Sequence, residues 1–324
     1  MDVAFATEGS HKEDPMRTRR TLALGAVLLA LVISACTPGG GSTTPSASPA
    51  AQKPEVTVGS AGFDESAVVA EIYAQALEAH GYTVKRQLEI GERPDVQAAL
   101  TSGRVNLVPE YLGGLASYLK ADVSSDAKAT FDAMQVKLAA EDLIAFDYSP
   151  GTDADGWAVR KETADQLNLK AMSDVAKVAD QLVWGLAPGC PTNPVCGPGL
   201  KSTYGIDISK LQVESLSPCS TEMAQALNNS AIDVAQVCTT QPDIQRFNFV
   251  LLEDDKALQP AQNLAPVARK DLADAAPADF AETLNAVSAK LTTDELTKLN
   301  VEVSVNQTSF ANAASQWLKD QGLI

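Results

Sequence analysis

The chain predicts an α/β protein of two lobes, joined by two crossings around a ligand cleft. Three observations carry this expectation. From Val56 onward, short apolar strand-like runs alternate with helix-like segments, the pattern of α/β units with parallel sheets. Two turn-rich passages, residues 147–155 (DYSPGTDAD) and 238–243 (CTTQPD), bracket the middle series of strands. About 270 residues follow Lys53, enough for one large or two medium domains. A chain that builds one lobe, crosses out, builds a second and crosses back leaves a cleft, and such lobes close by a hinge. The expected divisions are 54–150 plus 243–324 for lobe I and 151–242 for lobe II.

Taken in order, the first strand is 56–59. Residues 66–80 place Val68, Val69, Ile72, Tyr73, Ala76 and Leu77 on one face at helical spacing, and Gly81 stops the helix. A strand at 84–88, a helix at 94–102, a strand at 105–108 and a helix at 127–140 follow. Strand 156–160 opens the second series, with strands near 182–186, 211–216 and 232–238. Helices near 161–167, 173–180, 200–204 and 221–228 lie between them. The last third is helical, at 279–290, 292–300 and 308–321. No internal repeat is present.

Ahead of this body, residues 18–36 (TRRTLALGAVLLALVISAC) read as an export signal. The start is basic, the apolar run is too short to span a bilayer comfortably, and small residues close it. Cys36 after those small residues resembles a bacterial lipobox, which implies cleavage before it and lipid on its thiol and amine. The alternative is a simple secretory signal with an incidental cysteine. Residues 1–35 are thus the expected leader and signal peptide. Within them, 1–15 are polar and acidic, and Met16 is the expected initiator. Residues 36–53 are the expected lipidated cysteine and tether. The Gly/Ser/Pro/Ala stretch 37–53 behaves as a coil spanning on the order of 20–25 Å.

Cysteine usage agrees with export. Cys190, Cys196, Cys219 and Cys238 allow three pairings, and the local pairs Cys190–Cys196 and Cys219–Cys238 are favoured. No CxxC spacing occurs and His80 is the one histidine after the signal, so no metal site is expected. The net charge is −16, and removal of the leader takes away four basic and four acidic groups. Nucleic acid is thereby excluded as a partner, since phosphate binding needs a basic face. No GxGxxG, Walker lysine loop or GxSxG is present, and one histidine leaves little room for a triad. The DADG at 153–156 lacks the later glutamate of a calcium loop.

Several ordered segments then carry a resemblance. Residues 59–65 read GSAGFDE, 91–93 read GER, and 99–113 read ALTSGRVNLVPEYLG. Further on come Ser173-Asp174-Val175, Tyr204-Gly205, Ala226-Leu227-Asn228, Ile232-Asp233-Val234, VLLEDDK at 250–256 and APVAR at 265–269. In this order the chain resembles the substrate-binding lipoproteins of glycine betaine/choline-type ABC importers, the OpuAC-like or ProX-like family, over nearly all of 56–324. The resemblance implies a two-lobed periplasmic-binding-protein fold of type II. It also implies a monomer without cofactor or catalysis, lipid-anchored on the outer face of the cytoplasmic membrane. Such a protein captures a small compatible solute and delivers it to an ABC permease.

A quaternary ammonium donates no hydrogen bonds and is recognised by aromatic faces. Tyr111, at the end of a strand where open α/β sheets expose ligands, is the candidate aromatic wall, with a rim tyrosine packed on its own lobe as the alternative. Residues 60–66 hold Ser60, Phe63, Asp64 and Glu65 at another strand end. Their free N–H groups meet a polar ligand, or Asp64 caps the helix, and both readings stand. Arg93 opens a helix in a third such turn and pairs with Asp64, Glu65 or ligand. Thr239, Thr240 and Gln241 lie at the second expected crossing, facing the cleft. Relatives often have asparagine-threonine-aromatic where this chain has Asp153-Ala154-Asp155, and threonine-aspartate-glycine where it has Thr240-Gln241-Pro242. Trp157 and Trp184 lie in expected strands and read as core. Aromatic residues are therefore scarce for a full cage. A non-quaternary polar or hydroxylated, phenolic ligand stands as the alternative. An envelope enzyme or a ligand-sensing lipoprotein are the rivals of other classes.

Overall fold

The computed structural model describes residues 53–324; the signal, Cys36 and most of the tether lie outside the described residues. Among those described, no helix is long and apolar enough to cross a membrane. The first series runs β1 (Val56–Gly59), α1 (Asp64–Ala79), β2 (Val84–Gln87), α2 (Arg93–Thr101), β3 (Leu107–Tyr111), α3 (Leu112–Tyr118), α4 (Ala127–Ala139) and β4 (Leu143–Ala145). The second runs β5 (Asp155–Val159), α5 (Lys161–Leu167), α6 (Met172–Val175) and β6 (Val183–Leu186). It continues through a single turn, α7 (Gly197–Gly199), into a π-helical stretch over Leu200–Tyr204. Then come β7 (Gln212–Ser215), α8 (Thr221–Asn228), β8 (Val234–Cys238), α9 (Pro242–Arg246) and β9 (Val250–Leu251). The chain closes with β10 (Leu264–Arg269), α10 (Lys270–Ala275), α11 (Asp279–Ser288), α12 (Thr293–Asn300) and α13 (Phe310–Asp320).

Two five-stranded sheets result, in the orders β2-β1-β3-β10-β4 and β7-β6-β8-β5-β9. Neither is wholly parallel. β1 runs parallel to β2 and β3, and β6 parallel to β7 and β8, as helical crossovers require. β10 and β5 are antiparallel to their neighbours on both sides. Each of these two strands enters its sheet from the other lobe, so it arrives at the end where the parallel strands finish.

The chain passes from the first sheet to the second over residues 146–154, through Pro150 and Gly151. The return lies later than expected. Ala158 pairs with Leu251 and Val159 with Val250, and Glu253 bridges to Ala171, so residues 250–253 still belong to the second sheet. The boundary expected after residue 242 is corrected accordingly: Pro242 opens the short helix α9 rather than a crossing. Asp254 accepts from the Tyr204 hydroxyl and the Gln259 N–H, which fastens the start of the return to the second lobe. The chain regains the first sheet where Asn263 bridges to Thr152 and Leu264 begins β10. Along this return Ala261 accepts a hydrogen bond from Gly113 N–H at 2.8 Å, and a Cβ on Gly113 would meet that same oxygen at 2.8 Å. The close approach needs a glycine there.

Helix α1 is buried along most of its length between the first sheet and the C-terminal helices, with Val68, Val69, Ile72, Tyr73 and Leu77 fully enclosed. Those are the residues its spacing placed on one face. In the second lobe Trp157 and Trp184 are both buried in the core around Leu186, Leu200 and Val234.

Candidate functional site

The carboxyl ends of β1, β2 and β3 carry the loops at Ser60, Gly91 and Tyr111, while those of β6, β7 and β8 carry the loops at Ala187, Leu216 and Thr239. In open α/β sheets such ends are where ligands bind. The first-lobe loops enclose a cavity of about 160 Å³ lined by Phe63, Ser66, Arg93, Glu110 and Tyr111 among others. Phe63 is 45% exposed, and its ring lies 5.9 Å from that of Tyr111.

Each expected site residue has a definite place. Tyr111 is 7% exposed and packs in the core beside Val58 and Leu264 while also bordering the cavity, so the rim position is corrected to a buried one. Its hydroxyl donates to Glu65 Oε1 at 2.7 Å. Ser60 is fully buried, and its hydroxyl donates to Ala61 O and accepts from Glu89 N–H, which ties β1 to the loop after β2. Asp64 does not cap α1; the preceding Phe63 occupies the cap position, and Asp64 accepts from Ser304 instead. Arg93 pairs with neither Asp64 nor Glu65. Its Nε donates to Glu110 at 3.0 Å, and Gln97 donates to the same carboxylate at 2.9 Å. Both partners lie on its own sheet layer, on α2 and the end of β3.

Thr239, Thr240 and Gln241 diverge at successive positions. Thr239 Oγ1 accepts from Ala154 N–H and donates to Thr152 O, locking the end of β8 to the outgoing passage. Gln241 turns into its own lobe, donating to Ser220 O and Asp243. Thr240 faces the first lobe. Its N–H reaches Asp153 Oδ1 at 3.3 Å, and its carbonyl accepts from Asn300 Nδ2 at 3.2 Å. Asn300 also donates to Glu65 Oε2 at 2.5 Å. The two lobes therefore meet through Glu65, Asn300, Thr240 and Asp153.

The electrostatics of this group are unusual. Burial raises the Glu65 carboxyl, against the hydrogen bonds from Tyr111, Thr240 and Asn300 that lower it. Burial, then the nearby Glu65 charge, pushes Asp153 up to about 7. Burial also raises Asp155, and burial together with Glu65 and Asp153 holds the Tyr111 phenol well above its usual range. Among the described residues no lysine or arginine offsets Glu65 or Asp153, since Arg93 is committed to Glu110.

Asp153 and Asn300 were not among the expected site residues. Asp153 carried a signal, as an acid where relatives often have asparagine. Asn300 carried none, because it lies 235 positions from its partner Glu65.

The four cysteines form Cys190–Cys196 and Cys219–Cys238. The second bond ties the loop before α8 to the end of β8, immediately ahead of Thr239 and Thr240. Asp155 lies beside this sulfur pair, but disulfide sulfurs offer no thiolate to a metal.

A family model described as OpuAC, the substrate binding domain of ABC-type glycine betaine transport systems, matches residues 54–320. The glycine betaine-binding protein YehZ of Escherichia coli (strain K12) is 26% identical over 278 residues, covering 82% of this chain and 90% of the relative. The carnitine transport binding protein OpuCC of Listeria monocytogenes is 27% identical over 298 residues, covering 88% and 91%. A crystal structure described as a glycine betaine/carnitine/choline ABC transporter superimposes with a TM-score of 0.77 at 25% identity, covering 83% of this chain and 99% of the other.

Proposed function

The chain belongs to the OpuAC family of substrate-binding domains, and on that premise we propose that it closes its two lobes on a small quaternary-ammonium solute and presents it to an ABC permease. The family is one of transport binding proteins, not of enzymes, and works outside the cytoplasmic membrane. The observation that supports the ligand class is the pairing of two things. The Phe63 and Tyr111 rings border a small cavity, and the Tyr111 hydroxyl leads from it to the buried Glu65, which with Asp153 meets no lysine or arginine. Aromatic faces and uncompensated negative charge both favour a cation that cannot donate hydrogen bonds from its charged centre.

Calorimetric titration with glycine betaine, carnitine and choline, beside hydroxylated ring compounds as the competing class, tests the reading. One solute of the first group is expected to bind at one per chain without turnover. A ring compound that binds while all three quaternary amines fail rejects it. Osmoprotective uptake through the partner permease, as a monomeric receptor, is part of the same proposal.

Attachment to the membrane through Cys36 completes it, supported by the residue pattern ahead of the tether. Cys36→Ala is expected to release the protein into the soluble fraction in a detergent-free wash; equal retention with the parent rejects the anchor.

A further inference from the structure

Glu65 lies at the start of α1 in the first lobe, and Thr240 follows β8 in the second. Thr240 and Asp153 are held as one piece, because Thr239 exchanges hydrogen bonds with Ala154 and Thr152 on the outgoing passage. Glu65 and Asn300 form the opposing piece on the first-lobe side. Where the pieces meet, Asn300 donates to the Thr240 carbonyl, the Thr240 N–H donates to Asp153, and the Thr240 hydroxyl serves both carboxyls, Glu65 and Asp153. A hydroxyl has one proton to give and lone pairs to accept with, so it donates to one carboxylate only. Its second contact is a hydrogen bond when the other carboxyl is protonated and donates to the hydroxyl oxygen. The contact between the lobes therefore has a place for one proton more than two ionised carboxylates supply.

No cation stands in for that proton among the described residues. Asp155 of β5 adds negative charge beside Asp153, and Tyr111 of β3 feels the charge of Glu65, Asp153 and Glu110 together. Arg93 pairs with Glu110, Lys298 of α12 with Glu295, and Arg246 of α9 with Asp243. Asp64, next to Glu65, takes the Ser304 hydroxyl, and Glu302 beyond α12 takes Asn306 and Thr308. Parting the lobes returns both carboxyls towards water, where each ionises in the ordinary range.

We infer that Glu65, Asp153 and the Thr240 hydroxyl form a proton-held latch between the lobes: one proton shared by the two carboxyls favours the closed arrangement, and opening releases it to solvent. The sign agrees with the electrostatics of the group. Both carboxyls are raised in the closed arrangement, Asp153 to about 7, so closing takes up the proton. The support it gives to closure is full below the ordinary carboxyl range and is lost as pH rises to about 7. The inference rests on the reading that the lobes close, and not on which solute they close upon. It is therefore read on the ligand-free protein, and a failed solute titration does not bear on it.

The test is single-molecule Förster transfer between dyes on Val136→Cys and Val213→Cys, which puts one label on α4 of the first lobe and one on β7 of the second, both at exposed positions. Closed and open populations are counted at pH 5, 6, 7 and 8 after dialysis free of solute. In the parent the closed-to-open ratio is expected to fall at least about tenfold between pH 5 and pH 7 and to level off by pH 8. With Glu65→Gln and Asp153→Asn together it is expected to change by less than about twofold over the same range, and with Asp153→Asn alone by an amount between the two. A melting curve on each sample shows that it is folded; where the double variant does not fold, Asp153→Asn alone decides. A parent whose populations ignore pH overturns the inference. So does a double variant, or in its place Asp153→Asn, that keeps the full pH dependence of the parent, because the proton then sits elsewhere.

Discussion

Asp153→Asn is expected to stabilise the ligand-free protein at neutral and alkaline pH, although it removes an ionisable group that accepts the Thr240 N–H. The usual carboxyl ionises near 3.8, whereas Asp153 is pushed up to about 7 by burial and by Glu65. Ionising a carboxyl at 7 rather than 3.8 costs the folded state about 4 kcal/mol at most. Part of that rise comes from the Glu65 charge, so the share that Asp153→Asn removes is taken as ~2 kcal/mol. The sign follows from the direction. A carboxyl raised by folding supports the fold below 3.8, and that support is lost as pH rises towards 7. Asparagine carries no such loss, and its Oδ1 still accepts the Thr240 N–H. For a body of this size 1 kcal/mol moves Tm by about 2–4 °C, so the variant should melt roughly 4–8 °C above the parent at pH 8. At pH 4 the difference should vanish. Scanning calorimetry at pH 4, 6 and 8 decides it. A variant that melts below the parent at pH 8, or a difference independent of pH, would falsify the premise that Asp153 is a strained, uncompensated acid.

Tyr111→Phe keeps the core packing and removes only the donor to Glu65, so urea unfolding should show a loss of about 1–3 kcal/mol. Tyr111→Ala adds a cavity and should lose about 3–5 kcal/mol; equal stabilities for the two variants would show that ring packing is unimportant. Arg93→Ala strands the buried Glu110 and should cost about 2 kcal/mol, less than a fully buried pair because Arg93 is partly exposed. Adding Glu110→Gln should recover most of that, and a double variant no better than the single one refutes the pairing. Serine at both Cys219 and Cys238 opens a loop of 19 residues and should lose about 3 kcal/mol by thermal melting. Peptide mapping without reductant should yield the Cys190–Cys196 and Cys219–Cys238 peptides, and a Cys190–Cys219 peptide would reject that connectivity.

Features held within a short span were legible in the chain itself. The face of α1 follows from the 3.6-residue repeat of Val68, Val69, Ile72, Tyr73, Ala76 and Leu77, because burial of one stripe is what makes that helix stable. The two disulfides follow from local spacing, since short loops bring their sulfurs together at little entropic cost. Trp157 and Trp184 follow from their place in apolar strands. The point of return from the second lobe did not follow. β9 is only two residues long, too short for any periodicity, and the turn-rich CTTQPD at 238–243 closes into α9 instead of crossing.

The candidate site shows the same division more sharply. The sequence by itself determined that strand ends would carry Glu65, Arg93, Tyr111 and Thr240, because those positions follow from where strands stop. It left open which of them touch. Arg93 had Asp64, Glu65 or a ligand as its expected partners, and among protein groups it pairs instead with Glu110, across the layer formed by α2 and β3. Ser60 and Gln241 are polar and well placed along the chain, yet the Ser60 hydroxyl and the Gln241 amide nitrogen bond within their own lobes. Only the tertiary structure brought Asn300 from the last helices to Glu65 and Thr240, and set Asp153 beside them. Hydrogen bonds and charge act over a few ångströms, and proximity over 235 positions is decided by how lobes and helices pack. The spacing of residues in the chain does not record it.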